Sequence, residues 1–139
     1  MTYLLDANGL VALGIPQHEH HERARRFFAR RPFAVTPLTQ LALLQILSRP
    51  RRGREEILPP LHPPAEALRL TRLVSHRRGN KFLPASLNCA GTMPFESLAG
   101  HRQWNDFYLV ALAQRAGLLL ATFDDALARH FPEVCKLIP

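Results

Sequence analysis

A chain of 139 residues, 47% of them hydrophobic, is the size of one domain and too apolar to be disordered. No apolar run approaches the roughly 18–20 residues of a membrane span, and Asp6 breaks any secretory leader, so membrane and secreted classes give way to a soluble, cytoplasmic one. The net charge is +7, and with lysine only at Lys81 and Lys136, sixteen of the eighteen basic residues are arginine; such a surface suits phosphate, though it suits an acidic protein partner or plain solvation too.

In chain order, Thr2 to Leu5 predicts a short strand, followed at once by Asp6. Asp6 to Leu13 turns into a helix with Leu10, Val11 and Leu13 apolar, stopped by Gly14-Ile15-Pro16. His18 to Arg31 predicts an amphipathic helix, because Ala24, Phe27 and Phe28 stand at i, i+3 and i+4 against an Arg/Glu face. His18, His20 and His21 fall in its first turn. They lack the further ligands that a zinc site needs, so a structural or surface role is expected. The cysteines, Cys89 and Cys135, have no metal spacing and read as reduced thiols.

Phe33-Ala34-Val35 predicts a second strand. Thr36 then caps a helix that runs to Leu47, with Leu41, Leu44 and Leu47 on one side, and Ser48-Arg49-Pro50 ends it. Arg51 to Pro60 reads as a basic surface connection. Pro63-Pro64 opens a helix over Ala65 to His76, with Leu70, Leu73 and Val74 at helical spacing. From Arg77 to Gly100 the pattern is irregular, with a weak strand at Phe82-Leu83 and a turn of helix at Ser97-Leu98-Ala99.

Gln103 to Arg115 predicts a helix. Trp104, Phe107, Tyr108 and Ala111 share a face, and Leu109, Val110, Leu112 and Ala113 make it apolar nearly all round, as in a buried helix. Gly117 is placed as its C-terminal cap. Leu118 to Ala121 is apolar at every position, as a parallel strand covered on both faces would be. Asp125 to Phe131 predicts a short helix and Lys136-Leu137-Ile138 a last strand. This alternation predicts an α/β fold: one domain over residues 1–139, a central parallel sheet flanked by helices on both faces.

Three acids stand out. Asp6 and Asp124 each follow a strand, and Asp106 begins the buried helix. Ligands of open α/β sheets collect at the carboxyl ends of the strands, so one edge can gather all three. Carboxylates held together repel unless a cation neutralises them, and hard oxygen donors select Mg²⁺ or Mn²⁺. Such an ion polarises a phosphodiester and activates water. Each acid also stands where a helix begins, and Asp is a favoured N-cap, so capping alone accounts for any one of them. Asn8, Thr122 and Asn105 are placed to orient carboxylates or hold water.

The segments Leu4-Leu5-Asp6-Ala7-Asn8-Gly9-Leu10, Thr36-Pro37-Leu38-Thr39-Gln40-Leu41, Gly100-His101-Arg102-Gln103-Trp104-Asn105-Asp106-Phe107-Tyr108-Leu109 and Ala121-Thr122-Phe123-Asp124 resemble the landmarks of PIN-domain proteins. The likeness is to VapC-type toxin ribonucleases of bacterial toxin–antitoxin pairs. It implies a Mg²⁺- or Mn²⁺-dependent endoribonuclease acting on RNA, inhibited by a cognate antitoxin and assembling as a homodimer. Asp6, Asp106 and Asp124 match the family's metal-binding, catalytic acids. A further family acid is replaced by Gln40, which can hydrogen-bond water but carries no charge. Asn8, Gln40, Thr122 and Asp125 would support the site, and Arg102 would steer the RNA backbone. Trp104 stands where an aliphatic residue is usual and Asn105 where a small hydroxyl residue is frequent. Two rivals follow: a PIN-like module that binds RNA or protein without cutting, which the neutral Gln40 keeps open, and an interaction protein whose acids only cap helices.

Overall fold

The computed structural model describes residues 1–91, 100 and 103–139. The predicted turn of helix at 97–99 and the substrate-binding candidate Arg102 lie outside the described residues. Among the described residues, seven strands and six helices follow one another as β1 (Tyr3–Leu5), α1 (Ala7–Gly14), α2 (His21–Phe28), β2 (Phe33–Val35), α3 (Pro37–Ser48), β3 (Arg51–Arg52), β4 (Ile57–Leu58), α4 (Pro64–Ser75), β5 (Lys81–Phe82), α5 (Trp104–Ala116), β6 (Leu119–Thr122), α6 (Asp125–His130) and β7 (Cys135–Leu137). Five strands form one sheet in the order β5-β2-β1-β6-β7, and every pairing in it is parallel.

Strand periodicity divides the core in two. Tyr3, Leu5, Phe33 and Val35 face one side and pack with Leu10, Val11, Ile15, Phe27, Phe28, Leu43 and Leu47, that is, with α1, α2 and α3. Leu4, Ala34, Leu120 and Cys135 face the other and pack with α5 and Leu127 of α6. Alternate residues of a strand point to opposite faces, so three-residue strands without one exposed position serve both cores. Full burial of each such leucine or phenylalanine is worth about 2 kcal/mol. Residues 107–113 of α5 are buried without a break, as the nearly all-round apolar pattern predicts. Gly117 ends that helix at φ +68°, in the left-handed region that favours glycine.

The inward faces of three helices differ from the sequence expectation. In α3 the buried leucines are Leu43 and Leu47, whereas Leu41 is 53% exposed. In α4 the buried positions are Ala67, Thr71 and Ser75, with Leu70 and Val74 partly covered and Leu73 exposed. In α5 Trp104 is 52% exposed. These helices are apolar on more than one side, so periodicity does not single out the inner face. The stretch expected as a plain connection, 51–60, forms the antiparallel ribbon β3–β4. Two residues per strand leave too short a run for a period-2 signal. Among the described residues no helix is long and apolar enough to cross a membrane.

The strand order has one functional consequence. The chain moves from β1 outward through β2 to β5, then returns to the other side of β1 as β6. The reversal puts a topological switch point between β1 and β6, where a crevice opens at the carboxyl ends of the strands. Asp6 directly follows β1, and Asp124 stands two residues past the end of β6.

Candidate active site

Asp6 is 4% exposed. Its Oδ1 accepts from the Gly9 N–H at 2.7 Å and so caps α1. Its Oδ2 accepts from the Thr122 hydroxyl at 2.6 Å, a bond that joins the end of β1 to the end of β6. The register Leu5↔Ala121 sets the two side chains beside each other. Thr122 Oγ1 also accepts from the Asp124 N–H at 3.0 Å, and Asp124 Oδ1 accepts from the Leu127 N–H at 3.0 Å, capping α6. One hydroxyl thus ties two of the acids into one chain of hydrogen bonds. Asp106, half-buried in the first turn of α5, opens on the same cleft of about 220 Å³ as Asp124, together with Gln103, Phe107, Leu127 and His130.

The electrostatics bind the three together. The Asp6 carboxyl is raised to about 6, by burial first and by the charges of Asp106 and Asp124 after it, against the lowering effect of the Thr122 and Gly9 bonds. Asp106 is raised by burial and then by Asp124. The Cys135 thiol, on β7, is pushed up to about 12 by burial and by the same three acids. A negative field is therefore concentrated at the switch point of a chain whose net charge is +7.

Capping and charge coexist here. Asp6 and Asp124 both cap helices, as an acid at a helix start is expected to, while Asp106 lies in the first turn of α5 and caps no helix among the described residues. Among the described residues, no three His, Cys, Asp or Glu side chains stand close enough to form a finished ligand set for one ion. The donor chemistry nevertheless fits a hard divalent cation. The carboxylates supply oxygen only, two of them open on one cleft, and the third is held toward its neutral form by burial first and by their charge second. A cation at this edge would relieve that repulsion.

The supporting candidates divide. Thr122 is bonded into the site. Asn8 is exposed in the first turn of α1. Asp125 pairs with Arg129 along α6. Gln40 donates its side-chain amide to Ser75 Oγ at 3.2 Å and lines a separate groove with residues 75–82. Of the three histidines near α2, His21 bonds the Ala12 carbonyl and His20 stacks on Phe123.

Two contributions escaped the sequence reading. A Cβ at Gly9 would come within 2.4 Å of Leu5 Cδ1 and 3.0 Å of Asp6 Oδ1, so glycine is what lets α1 close over the carboxylate. Arg23 stacks its guanidinium on Phe123 and donates to the carbonyls of Ile138 and Pro139. With His20 it holds the turn between Thr122 and Asp124. The glycine stands in a quoted motif, but nothing in the sequence links residue 23 to residue 123.

The model of the PIN domain matches residues 3–131. The chain belongs to the PIN-domain family. Among its relatives, ribonuclease VapC39 of Mycobacterium tuberculosis is 37% identical over 92% of each chain. Ribonuclease VapC29 of the same organism is 35% identical over 100% of this chain and 98% of its own. VapBC2 of Rickettsia felis, solved bound to a DNA fragment from its promoter, shares the fold of this PIN domain with a TM-score of 0.66, at 14% identity and full coverage of both chains. The central parallel sheet and the near-complete match make this PIN domain of the VapC kind, as the sequence motifs imply.

Proposed function

We propose that this PIN-domain protein is a divalent-metal-dependent endoribonuclease and the toxin of a toxin–antitoxin pair. The observation that carries the reading is the shared field of Asp6, Asp106 and Asp124 at the β1–β6 switch point. Relatives named as ribonucleases support the RNA substrate, and the fold shared with VapBC2 supports a cognate antitoxin as partner. A homodimer, a cytoplasmic location and a single domain over residues 1–139 complete the proposal.

Asp6, Asp106 and Asp124 would hold the ion, Mg²⁺ or Mn²⁺. When bound, it would supply Lewis-acid polarisation of the scissile phosphate and a water more easily deprotonated. The chain's own groups do the rest. Thr122 fixes the Asp6 carboxylate, Gly9 donates to it, and the helix cap on Asp124 leaves its second oxygen for the cleft. The N-terminus of α5 gives a favourable dipole for negative charge beside Asp106. Asn8 and Arg102 are assigned to positioning water and to the RNA backbone.

The test is cleavage of a mixed RNA by the purified chain with Mg²⁺, with Mn²⁺ and with EDTA. Cleavage that needs the metal and is lost in Asp106→Asn is the expected result. Undiminished cleavage in EDTA would overturn the metal mechanism. Gln40 favours a second reading, a PIN module that binds without cutting, because it is neutral and is bonded to Ser75. Metal-independent RNA binding with no cleavage would select it.

A further inference from the structure

Four cations from separate parts of the chain line one cleft of about 510 Å³ on the α2 side of the sheet. Arg23 and Arg26 come from α2, Arg31 from the stretch after it, and Lys136 from the edge strand β7. Tyr3 and Phe27, with ring centroids 5.3 Å apart, complete the lining with Pro139, and no acidic side chain is part of it. Cys135 packs with α5, so alternation along β7 turns Lys136 to the α2 side.

Three other helical arginines are paired with carboxylates: Arg25 forks onto Glu22, Arg69 onto Glu66, and Arg129 bonds Asp125. The cations of the cleft are not matched in this way. Arg26 stands 3.6 Å from an oxygen of Glu22 that Arg25 already holds at 2.6 Å. Arg31 bonds the Phe27 carbonyl and lies over that ring. Lys136 makes no ion pair among the described residues. Like charges gathered in one hollow repel, and an oxyanion between them offsets the repulsion. Guanidinium forks match the oxygens of a phosphate, and an ammonium adds a compact charge.

We propose that this cleft is an RNA exosite: it binds one backbone phosphate, other than the scissile one, of the strand held at the acids. The inference rests on the ribonuclease reading for its substrate, and on the cation cluster for the site. Arg23 joins the two places. It lines the cleft and stacks its guanidinium on Phe123, between Thr122 and Asp124. That continuity with the acid turn favours a phosphate of the strand over a free phosphate or an acidic protein segment. Arg26 and Lys136 then hold substrate, and the acids act on the scissile bond.

Binding of a short single-stranded RNA, measured in EDTA across a range of salt, tests the exosite. For a single strand, log K falls with log [salt] by about 0.7 for each phosphate neutralised. Arg26→Gln with Lys136→Gln removes two exposed charges from the cleft. This double variant should bind more weakly, with a slope shallower by about 0.7. Arg26→Lys with Lys136→Arg keeps both charges and should keep the native slope. Arg52→Gln with Arg54→Gln removes the same charge from the β3–β4 ribbon, where both side chains are exposed, and should leave the slope unchanged. A native slope in the cleft variant, or an equal fall in the ribbon variant, overturns the exosite.

The exosite and the ribonuclease reading fail separately. A chain that cuts RNA with Mg²⁺, while its cleft variant keeps the native slope, is a ribonuclease without the exosite. A chain that cuts nothing, yet shows the shallower slope in the cleft variant, keeps the RNA site and loses the activity. A native chain that binds no RNA at any salt overturns the exosite. Inorganic phosphate and poly-L-glutamate are the rival probes. If the cleft variant loses binding of either one while its RNA slope stays native, the cleft belongs to a free phosphate or to an acidic segment, and the proposal is overturned.

Discussion

The Thr122 hydroxyl donates to Asp6 Oδ2 at 2.6 Å across the junction of β1 and β6. These residues are 116 positions apart, and their bond lowers a carboxyl that burial has raised. Thr122→Val removes the donor at nearly constant volume. The Asp6 carboxyl should then rise further, so the acidic limb of the cleavage pH profile should move to higher pH. Stability should fall by about 1–3 kcal/mol from the unsatisfied buried group. Thr122→Ser should restore both, as pH–rate profiles and urea melts would show. An unmoved acidic limb in the Val variant would sink this role for Thr122.

Asp6→Asn should abolish cleavage and stabilise the metal-free protein. The sign follows from the raised carboxyl. The folded state holds the Asp6 proton up to about pH 6, while the unfolded chain releases it near 3.8. Between those values the folded state binds more protons, so the Asp6 contribution to stability falls as pH rises, and the full penalty stands above pH 6. It is of the order of 3 kcal/mol. Denaturant melts in EDTA should show the Asn variant more stable than the native chain at pH 8 and no different near pH 3. Equal stability at pH 8 would contradict the buried, charge-crowded carboxylate.

Metal should act in the opposite direction. A cation bound by the folded state alone raises Tm, by RT ln(1 + [L]/Kd) in free energy. Mn²⁺ should therefore stabilise the native chain more at pH 7.5 than at pH 5, where protonated Asp6 competes with it. Asp106→Asn and Asp124→Asn should each weaken the shift. Calorimetric titration with Mn²⁺ would check this, and full affinity in either variant would exclude that acid as a ligand.

Gly9→Ala tests the close approach above Asp6. The added Cβ meets Leu5 Cδ1 at 2.4 Å inside a fully packed core. Alanine would gain about 1 kcal/mol of helix propensity at a relaxed site. The clash should outweigh that gain, with a net loss of about 1–3 kcal/mol and reduced cleavage. A variant as stable and active as the native chain would show that the carboxylate does not depend on the glycine.

Gln40→Ala should leave Mn²⁺ affinity unchanged, because the amide bonds Ser75 and lines another groove. A loss of about 1 kcal/mol in stability is expected from the broken hydrogen bond. A several-fold weaker metal titration would return Gln40 to the site.

Much of the molecule is readable from local chemistry. Strand β2, the helix start at Thr36, the proline-led start of α4, the burial of α5 and the glycine that ends it all follow from patterns a few residues long, because they arise from backbone and near-neighbour forces. The family likeness rests on equally local motifs. The inner faces of α3 and α4 were not readable, since leucines on several sides leave the choice to whatever packs against them. Tertiary structure alone decided that β6 returns beside β1. From that one adjacency come the Thr122–Asp6 bond, the raised Asp6 carboxyl and the field shared with Asp106 and Asp124. The sequence placed three acids at the starts of helices; the strand order set them at one edge, because charge interactions depend on distance in space and not on separation along the chain.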